Sequence, residues 1–164
     1  MVEDIEIGYR GTSFSYLQRK YKTNLIGIHQ AQNSVLAMEA TKMFEPKITE
    51  KTIKNGLRKV FWPGRLELLE DFIYFDVAHN KSSIISVFNT IKTLFPNRDL
   101  VVLFCLKADK EPSLFAKYFK QNVRKLYITT DNSKALMDPI TLSGIMHNNG
   151  CTNKVFNNIS LCFV

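Results

Sequence analysis

Two short segments carry side chains that could do chemistry together. Trp62-Pro63-Gly64-Arg65 offers a guanidinium on a tight turn. Eleven residues after Arg65 comes Asp76-Val77-Ala78-His79-Asn80, with a carboxylate, an imidazole and an amide at the end of an apolar run. The spacing puts a strong cation and three polar groups where a strand stops and a helix starts. Open α/β folds bind anionic ligands at such places, because strand ends and helix N-termini present backbone N–H groups.

Each residue also has a plainer role. Arg65 suits bidentate phosphate contacts, or it is a surface arginine paired with Glu67 or Glu70. Asp76 can accept from ribose hydroxyls or lie near a metal, or it caps the next helix. His79 can bind a carboxylate or phosphate oxygen or move a proton near neutral pH; otherwise it is a solvated turn residue beside Asn80. His29, Gln30 and Asn33 lie within one helical turn and share a face. Asn and Gln amides suit adenine edges, offering donor and acceptor together; the alternative is helix capping. Asp109-Lys110 follows an apolar strand, at a ligand crevice or as an exposed loop pair.

The composition sets bounds on what surrounds these residues. Of 164 residues, 45% are hydrophobic, enough for a packed core rather than disorder. No apolar run approaches the ~18–20 residues that span a membrane. The start, Met1-Val2-Glu3-Asp4, lacks the basic and apolar regions of a signal peptide, so the cytoplasm is expected. Cys105, Cys151 and Cys162 form no Cys-x-x-Cys pair, so neither zinc nor a disulfide framework is indicated. Cys105, inside an apolar run, is expected to pack as a small hydrophobe. The net charge is +7. Its lysines and arginines are interspersed with Glu39, Glu45 and Glu50, and no basic run alternates with aromatics. This favours a basic surface that helps a phosphate ligand approach over a nucleic-acid platform or a membrane partner.

The elements that must position the candidates follow from periodicity. Residues 1–24 predict short strands, read as a sheet edge cut from something larger, since so few strands cannot bury a face alone. A helix follows over about 30–44, with Val35, Leu36, Ala40, Met43 and Phe44 on one stripe, ended by Pro46. Thr49 caps a second helix carrying Ile53, Leu57 and Val60. Residues 72–75 form a short apolar strand ending at Asp76. Asn80 or Ser82 caps a helix with Ile84, Ile85, Phe88, Ile91, Leu94 and Phe95. Residues 100–106 predict a continuous buried parallel strand. Residues 112–122 form a helix with Leu114, Phe115, Tyr118 and Phe119 inward. Strands at 125–130 and from 154, and a weak helix at 140–147, complete the pattern. Strands alternating with helices imply parallel βαβ units and an α/β fold. Residues 160–164 end on apolar side chains, as a final edge strand or as a truncated or frame-shifted end.

In their order, Gly27-Ile28-His29-Gln30, Asn33, Trp62-Pro63-Gly64-Arg65, Asp76-Val77-Ala78-His79-Asn80 and Asp109-Lys110 resemble the second half of folylpolyglutamate synthase, in the Mur ligase superfamily. The resemblance covers about residues 5–157. It implies a Rossmann-like C-terminal domain with a mostly parallel sheet over residues 47–164, truncated at its end, preceded by the tail of a central ATPase domain over residues 1–46. It implies an ATP-dependent ligase that activates a carboxylate as an acyl phosphate, which the amine of L-glutamate attacks to extend folate. ATP and Mg2+ are the implied cofactors, and ATP, L-glutamate and folate the implied partners. On this resemblance Asn33 contacts adenine, Arg65 the phosphates and Asp76 the ribose or nearby groups. His79 and Lys110 face the carboxylates of glutamate, and His29, Gln30, Asn80 and Asp109 support them.

The sequence departs from that family in one major respect. No Gly-x-x-x-x-Gly-Lys-Ser/Thr loop is present, and the magnesium ligands and modified lysine of the family lie upstream of what this chain matches. Without backbone amides and a lysine around the β- and γ-phosphates, ATP is not held for reaction. The expectation is part of a ligase, inactive as this isolated chain, with a missing N-terminal half as a candidate partner. Dihydrofolate synthase activity and a non-catalytic fragment are the alternatives.

Overall fold

The computed structural model describes residues 1–131 and 133–156. Residues 160–164, and with them Cys162, lie outside this range. The described residues divide into two units: one of residues 1–77 and 86–96, the other of residues 78–85 and those from 97 onward.

The first unit opens with an antiparallel meander, β1 (Val2–Gly8), β2 (Gly11–Tyr16) and β3 (Arg19–Thr23). The meander is covered from within the chain. Helices α1 (Ile28–Phe44) and α2 (Glu50–Lys59) pack on them around a core of Phe14, Tyr21, Ala31, Met38 and Ile53. Thr49 caps α2 as expected, its Oγ1 accepting from Thr52 N–H at 3.2 Å. Glu50 in the first turn and Arg58 and Lys59 in the last complement the helix dipole. Val60 falls just beyond α2, in extended backbone.

Of the apolar stripe expected on α1, Val35 packs against this core, but the rest is not the packing face. Gln30, Ala31, Ser34 and Met38 are buried. Leu36, Met43 and Phe44 are 71%, 83% and 92% exposed, and Ala40 is exposed as well. The buried face combines two small side chains, Ala31 and Ser34, with the longer Gln30 and Met38, and two of the four are polar.

After α2 come β4 (Glu67–Glu70) and β5 (Ile73–Phe75). The strand expected over residues 72–75 is therefore real, but it pairs antiparallel with β4 in a hairpin rather than with a parallel neighbour. Next is α3 (Lys81–Leu94). Its Leu94 joins Ile26 and Leu66 in a second core of the first unit, with Tyr74, Ile91 and Phe95 against it.

The second unit contains β6 (Val101–Phe104), α4 (Ser113–Asn122), β7 (Lys125–Ile128), α5 (Pro139–Asn148) and β8 (Asn153–Val155). Its sheet is parallel in the order β6-β7-β8, the α/β arrangement expected from the alternation. Phe104 meets Phe119 edge-on, with ring centroids 4.9 Å apart. Truncating a buried ring of this kind to Ala costs about 3–5 kcal/mol. Asp138 caps α5 through Thr141 N–H at 2.8 Å, with Pro139 opening the helix.

Two expectations for this unit change. On β6 and just after it, Val101, Leu103 and Cys105 are exposed while Phe104 and Leu106 are buried, so the run alternates instead of burying both faces. Cys105 accordingly does not pack as a core residue. On α4, Phe115 and Phe119 point inward as expected, but Leu114 is exposed.

Candidate functional site

The turn that carries Arg65 is built from strained backbone with specific restraints. Gly64 has φ of 67°, and a Cβ there would lie 2.6 Å from Val77 Cγ1. Only glycine fits both demands. Its N–H donates to Glu67 Oε2 at 2.9 Å, and its carbonyl accepts from Val77 N–H at 3.0 Å. Leu66, also left-handed at φ of 46°, is 3% exposed, and its N–H donates to Asp76 Oδ2 at 2.8 Å. A left-handed leucine costs about 1–2 kcal/mol, offset here by burial and by a charge-assisted hydrogen bond.

Arg65 is thus held between two restrained residues. Its expected plainer partner, Glu67, is engaged with the Gly64 amide instead. Arg65 is exposed and has no ion-pair partner within 4.0 Å among the described residues.

The start of α1 is equally particular. Its N-cap is Gly27, at φ of 127°, with no side-chain cap and no acidic residue in the first turn. The 17-residue helix supplies no acidic side chain of its own at its positive end. Thr12 fixes the approach: its Oγ1 accepts from Gly27 N–H at 3.0 Å and donates to the Leu25 carbonyl at 2.9 Å. A Cβ on Gly27 would lie 2.7 Å from His29 Cε1, so the missing side chain leaves space for the imidazole.

His29 Nδ1 and Ser86 Oγ share a hydrogen bond of 2.9 Å. Burial lowers the His29 pKa; Asp76 opposes that shift and Arg65 reinforces it. His29, Arg65 and Asp76 therefore share one electrostatic neighbourhood in the first unit. Gln30 is buried and its Oε1 accepts from Asn33 Nδ2 at 3.3 Å, so these two do share a face, with Asn33 exposed. An unpaired guanidinium, an uncapped helix N-terminus and an amide suit the phosphates and base of a nucleotide such as ATP. For Mg2+ the fit is poor: no group of three His, Cys, Asp or Glu side chains among the described residues could hold a metal ion.

The second unit holds the other candidates. Asn80 caps α3: its Oδ1 accepts from Ser83 N–H at 2.9 Å, and Ser83 Oγ donates to the Asn80 carbonyl at 2.9 Å. Ser82 is not the cap; its hydroxyl donates to Asn80 Oδ1. His79, the preceding residue, is exposed. Lys110 Nζ lies 2.8 Å from Asp109 Oδ2, and the lysine holds the Asp109 carboxyl below its ordinary range. These two residues satisfy each other in this state.

Thr12, Glu67 and Ser86 complete the site, and of these Thr12 and Ser86 were not singled out in the sequence. Ser86 is an interior position of α3 with no local signature, and Thr12 acts across the chain fold. Only Glu67, three residues from Gly64, stood close enough to attract notice, and then as a partner for Arg65.

No helix of the described chain is long and apolar enough to cross a membrane. Against solved structures, the chain superposes on Mycobacterium tuberculosis folylpolyglutamate synthase, complexed with ADP and AMPPCP, with TM-score 0.86 at 22% identity, covering 97% of this chain and 38% of that one. The Thermotoga maritima folylpolyglutamate synthase gives TM-score 0.79 at 17% identity, over 100% of this chain and 41% of that one. These likenesses show a shared fold. In sequence, the chain is 36% identical over 95 residues to the dihydrofolate synthase/folylpolyglutamate synthase of Bacillus subtilis, covering 54% of this chain and 22% of that protein. The folylpolyglutamate synthase of Lacticaseibacillus casei is 32% identical over 98 residues, covering 56% and 23%. The chain thus spans less than a quarter of the length of these two relatives. Residues 64–160, beginning at Gly64 and taking in Arg65 and the whole Asp76–Asn80 segment, match the Mur ligase, glutamate ligase domain. That match covers more than half of the sequence, and the chain belongs to this family.

Proposed function

We infer that this chain is the C-terminal portion of an ATP-dependent ligase that adds L-glutamate to folate. The observation that carries the inference is Arg65: an unpaired cation on a left-handed turn tied to Asp76. A cation kept without a counter-ion on a restrained turn is pre-organised for an anion that arrives later. ATP, when bound, supplies the phosphoryl group that activates the acceptor carboxylate as an acyl phosphate.

In this reading Asn33 holds the adenine edge, Arg65 the phosphates, and Asp76 both the Arg65 turn and the ribose side of the nucleotide. His29 and Gln30 set the start of α1. His79 and Lys110 receive the carboxylates of the incoming glutamate, with Lys110 exchanging Asp109 for substrate and Asn80 fixing the helix beside His79. Residues 1–46 are assigned to the tail of a central ATPase domain and residues 47–164 to the glutamate-binding domain. The phosphate loop and Mg2+ come from sequence not present in this chain. The Bacillus subtilis relative bears both names, dihydrofolate synthase and folylpolyglutamate synthase, which supports dihydropteroate as a second acceptor.

The test is ATP-dependent incorporation of labelled glutamate into folate. The chain alone is expected to incorporate none. Combined with a phosphate-loop-bearing portion of a folylpolyglutamate synthase, incorporation is expected to depend on Arg65 and to fall about 100-fold or more in Arg65→Ala. Turnover by the chain alone, or full activity of Arg65→Ala in the combined enzyme, overturns the reading.

A further inference from the structure

Helix α1 carries an exposed row of side chains with a regular rhythm. Asn33, Leu36, Ala40 and Met43 recur at spacings of three and four, as along the seam between two packed helices. All four are exposed, and so are Ala37 and Phe44 beside them. The only charged side chains of this 17-residue helix, Glu39 and Lys42, lie off the row and pair with each other at 2.7 Å. A solvated helix face ordinarily carries charged or polar side chains. From Leu36 onward this row is apolar and carries no charge.

Two further observations point to what covers it. The row begins at Asn33, assigned above to the adenine edge, so whatever lies along it abuts the nucleotide position. The chain also accounts for only 38% and 41% of the two synthase structures it superposes on, so more than half of each lies outside the match. A second copy fits less well. One helix face of about 25 Å by 10 Å falls far short of the about 800 Å2 that each partner gives to a stable interface. Two copies would also each carry a net charge of +7. We propose that the outward row of α1, from Leu36 to Phe44, seats the phosphate-loop-bearing portion of a folylpolyglutamate synthase, which packs apolar side chains on it and meets Asn33 at its end. This seat rests on the ligase reading and adds the surface through which that ligase is completed.

Met43 is the reporter, because oxidation of a thioether by dilute peroxide follows its exposure. Buried Met38 is the internal control. The full chain would be mixed with the part of the Mycobacterium tuberculosis folylpolyglutamate synthase that lies outside the superposed segment, in a form that melts cooperatively on its own. Co-elution on a sizing column is expected, with oxidation of Met43 slowed about fivefold or more and that of Met38 unchanged. Leu36→Lys and Phe44→Lys, both at exposed positions, are expected to weaken the association about tenfold or more at unchanged urea midpoint, since each buries an unpaired charge in the seam. Lys51→Gln, at an exposed position of α2, should leave the association unchanged. No co-elution, an unprotected Met43 or full association of both lysine variants overturns the proposal. A dimer of the chain alone that Leu36→Lys dissolves also overturns it, by making a second copy the occupant. Glutamate incorporation in the same mixtures separates the two readings. A protected Met43 without incorporation leaves the seat standing and removes the ligase reading; incorporation with Met43 unprotected does the reverse.

Discussion

Asp76 Oδ2 accepts the backbone N–H of Leu66 at 2.8 Å, so the carboxylate of one motif holds the turn of the other. The bond spans ten residues and restrains a leucine at φ of 46°. Arg65 immediately precedes that leucine, so the bond restrains the turn that carries its guanidinium. The two motifs behave as a single device in which the carboxylate acts first on the protein.

Removing the acceptor tests this device. Asp76→Ala leaves the Leu66 N–H without its charged partner and the left-handed turn without its restraint. A loss of about 1.5–3 kcal/mol in urea unfolding is expected, with Asp76→Asn costing less because it keeps an amide oxygen. Equal midpoints for wild type and Asp76→Ala would show that burial of Leu66 alone maintains the turn.

Gly64→Ala should be more damaging than its size suggests. The added methyl meets Val77 Cγ1 at 2.6 Å, and alanine is strained at φ of 67°. About 1–3 kcal/mol of destabilisation is expected. Val77→Ala in the same chain relieves the clash but not the backbone strain, so it should restore only part of the loss.

His29 makes stability depend on pH in a defined direction. Its folded pKa lies below 6.5, chiefly through burial. The unfolded chain therefore binds a proton at a pH where the folded protein does not. Stability contributed by neutral His29 is present above 6.5 and is lost as pH falls from there toward the lowered folded value. Urea midpoints at about pH 7.5 and about pH 5.5 should differ more in wild type than in His29→Gln. An identical difference in both proteins would sink this assignment.

Asn80 offers a case where the structural role can be separated from a ligand role. Asn80→Ala removes the cap of α3 and should cost about 1 kcal/mol, whereas Asn80→Asp or Asn80→Ser should cost far less. If all three variants are equally destabilised, the cap is not what Asn80 contributes.

Much of this architecture is legible from local chemistry. Thr49 ahead of a helical pattern is a capping residue in sequence and in space. The βαβ alternation after residue 100 predicts the parallel β6-β7-β8 sheet, because buried parallel strands and their crossover helices have distinct periods. The pairing of Arg65 with Asp76 was suggested by their spacing, but the approach of His29 to both is a property of the fold. The α1 packing face was not legible. Periodicity counts apolar residues, and this helix buries Gln30 and Ser34 beside Ala31 and Met38 while leaving Leu36 outside. The β4–β5 hairpin hid for a different reason: its turn contains Phe72 at φ of 64°, where a turn signature would have placed glycine or asparagine. The Thr12 and Ser86 contacts join residues distant in the chain, and nothing in the residue order announces them.

The outer stripe of α1 has a consequence for the colloidal behaviour of the chain. Leu36, Met43 and Phe44 recur at a helical spacing and are 71%, 83% and 92% exposed. Such a ridge is sticky, and the net charge of +7 repels copies from one another only while the ionic strength is low. Adding salt removes that repulsion and leaves the ridge, so light scattering of concentrated solutions should rise with salt. Replacing Phe44 and Met43 with Lys and Gln should abolish the rise, since this preparation-dependent turbidity would come from one side of one helix.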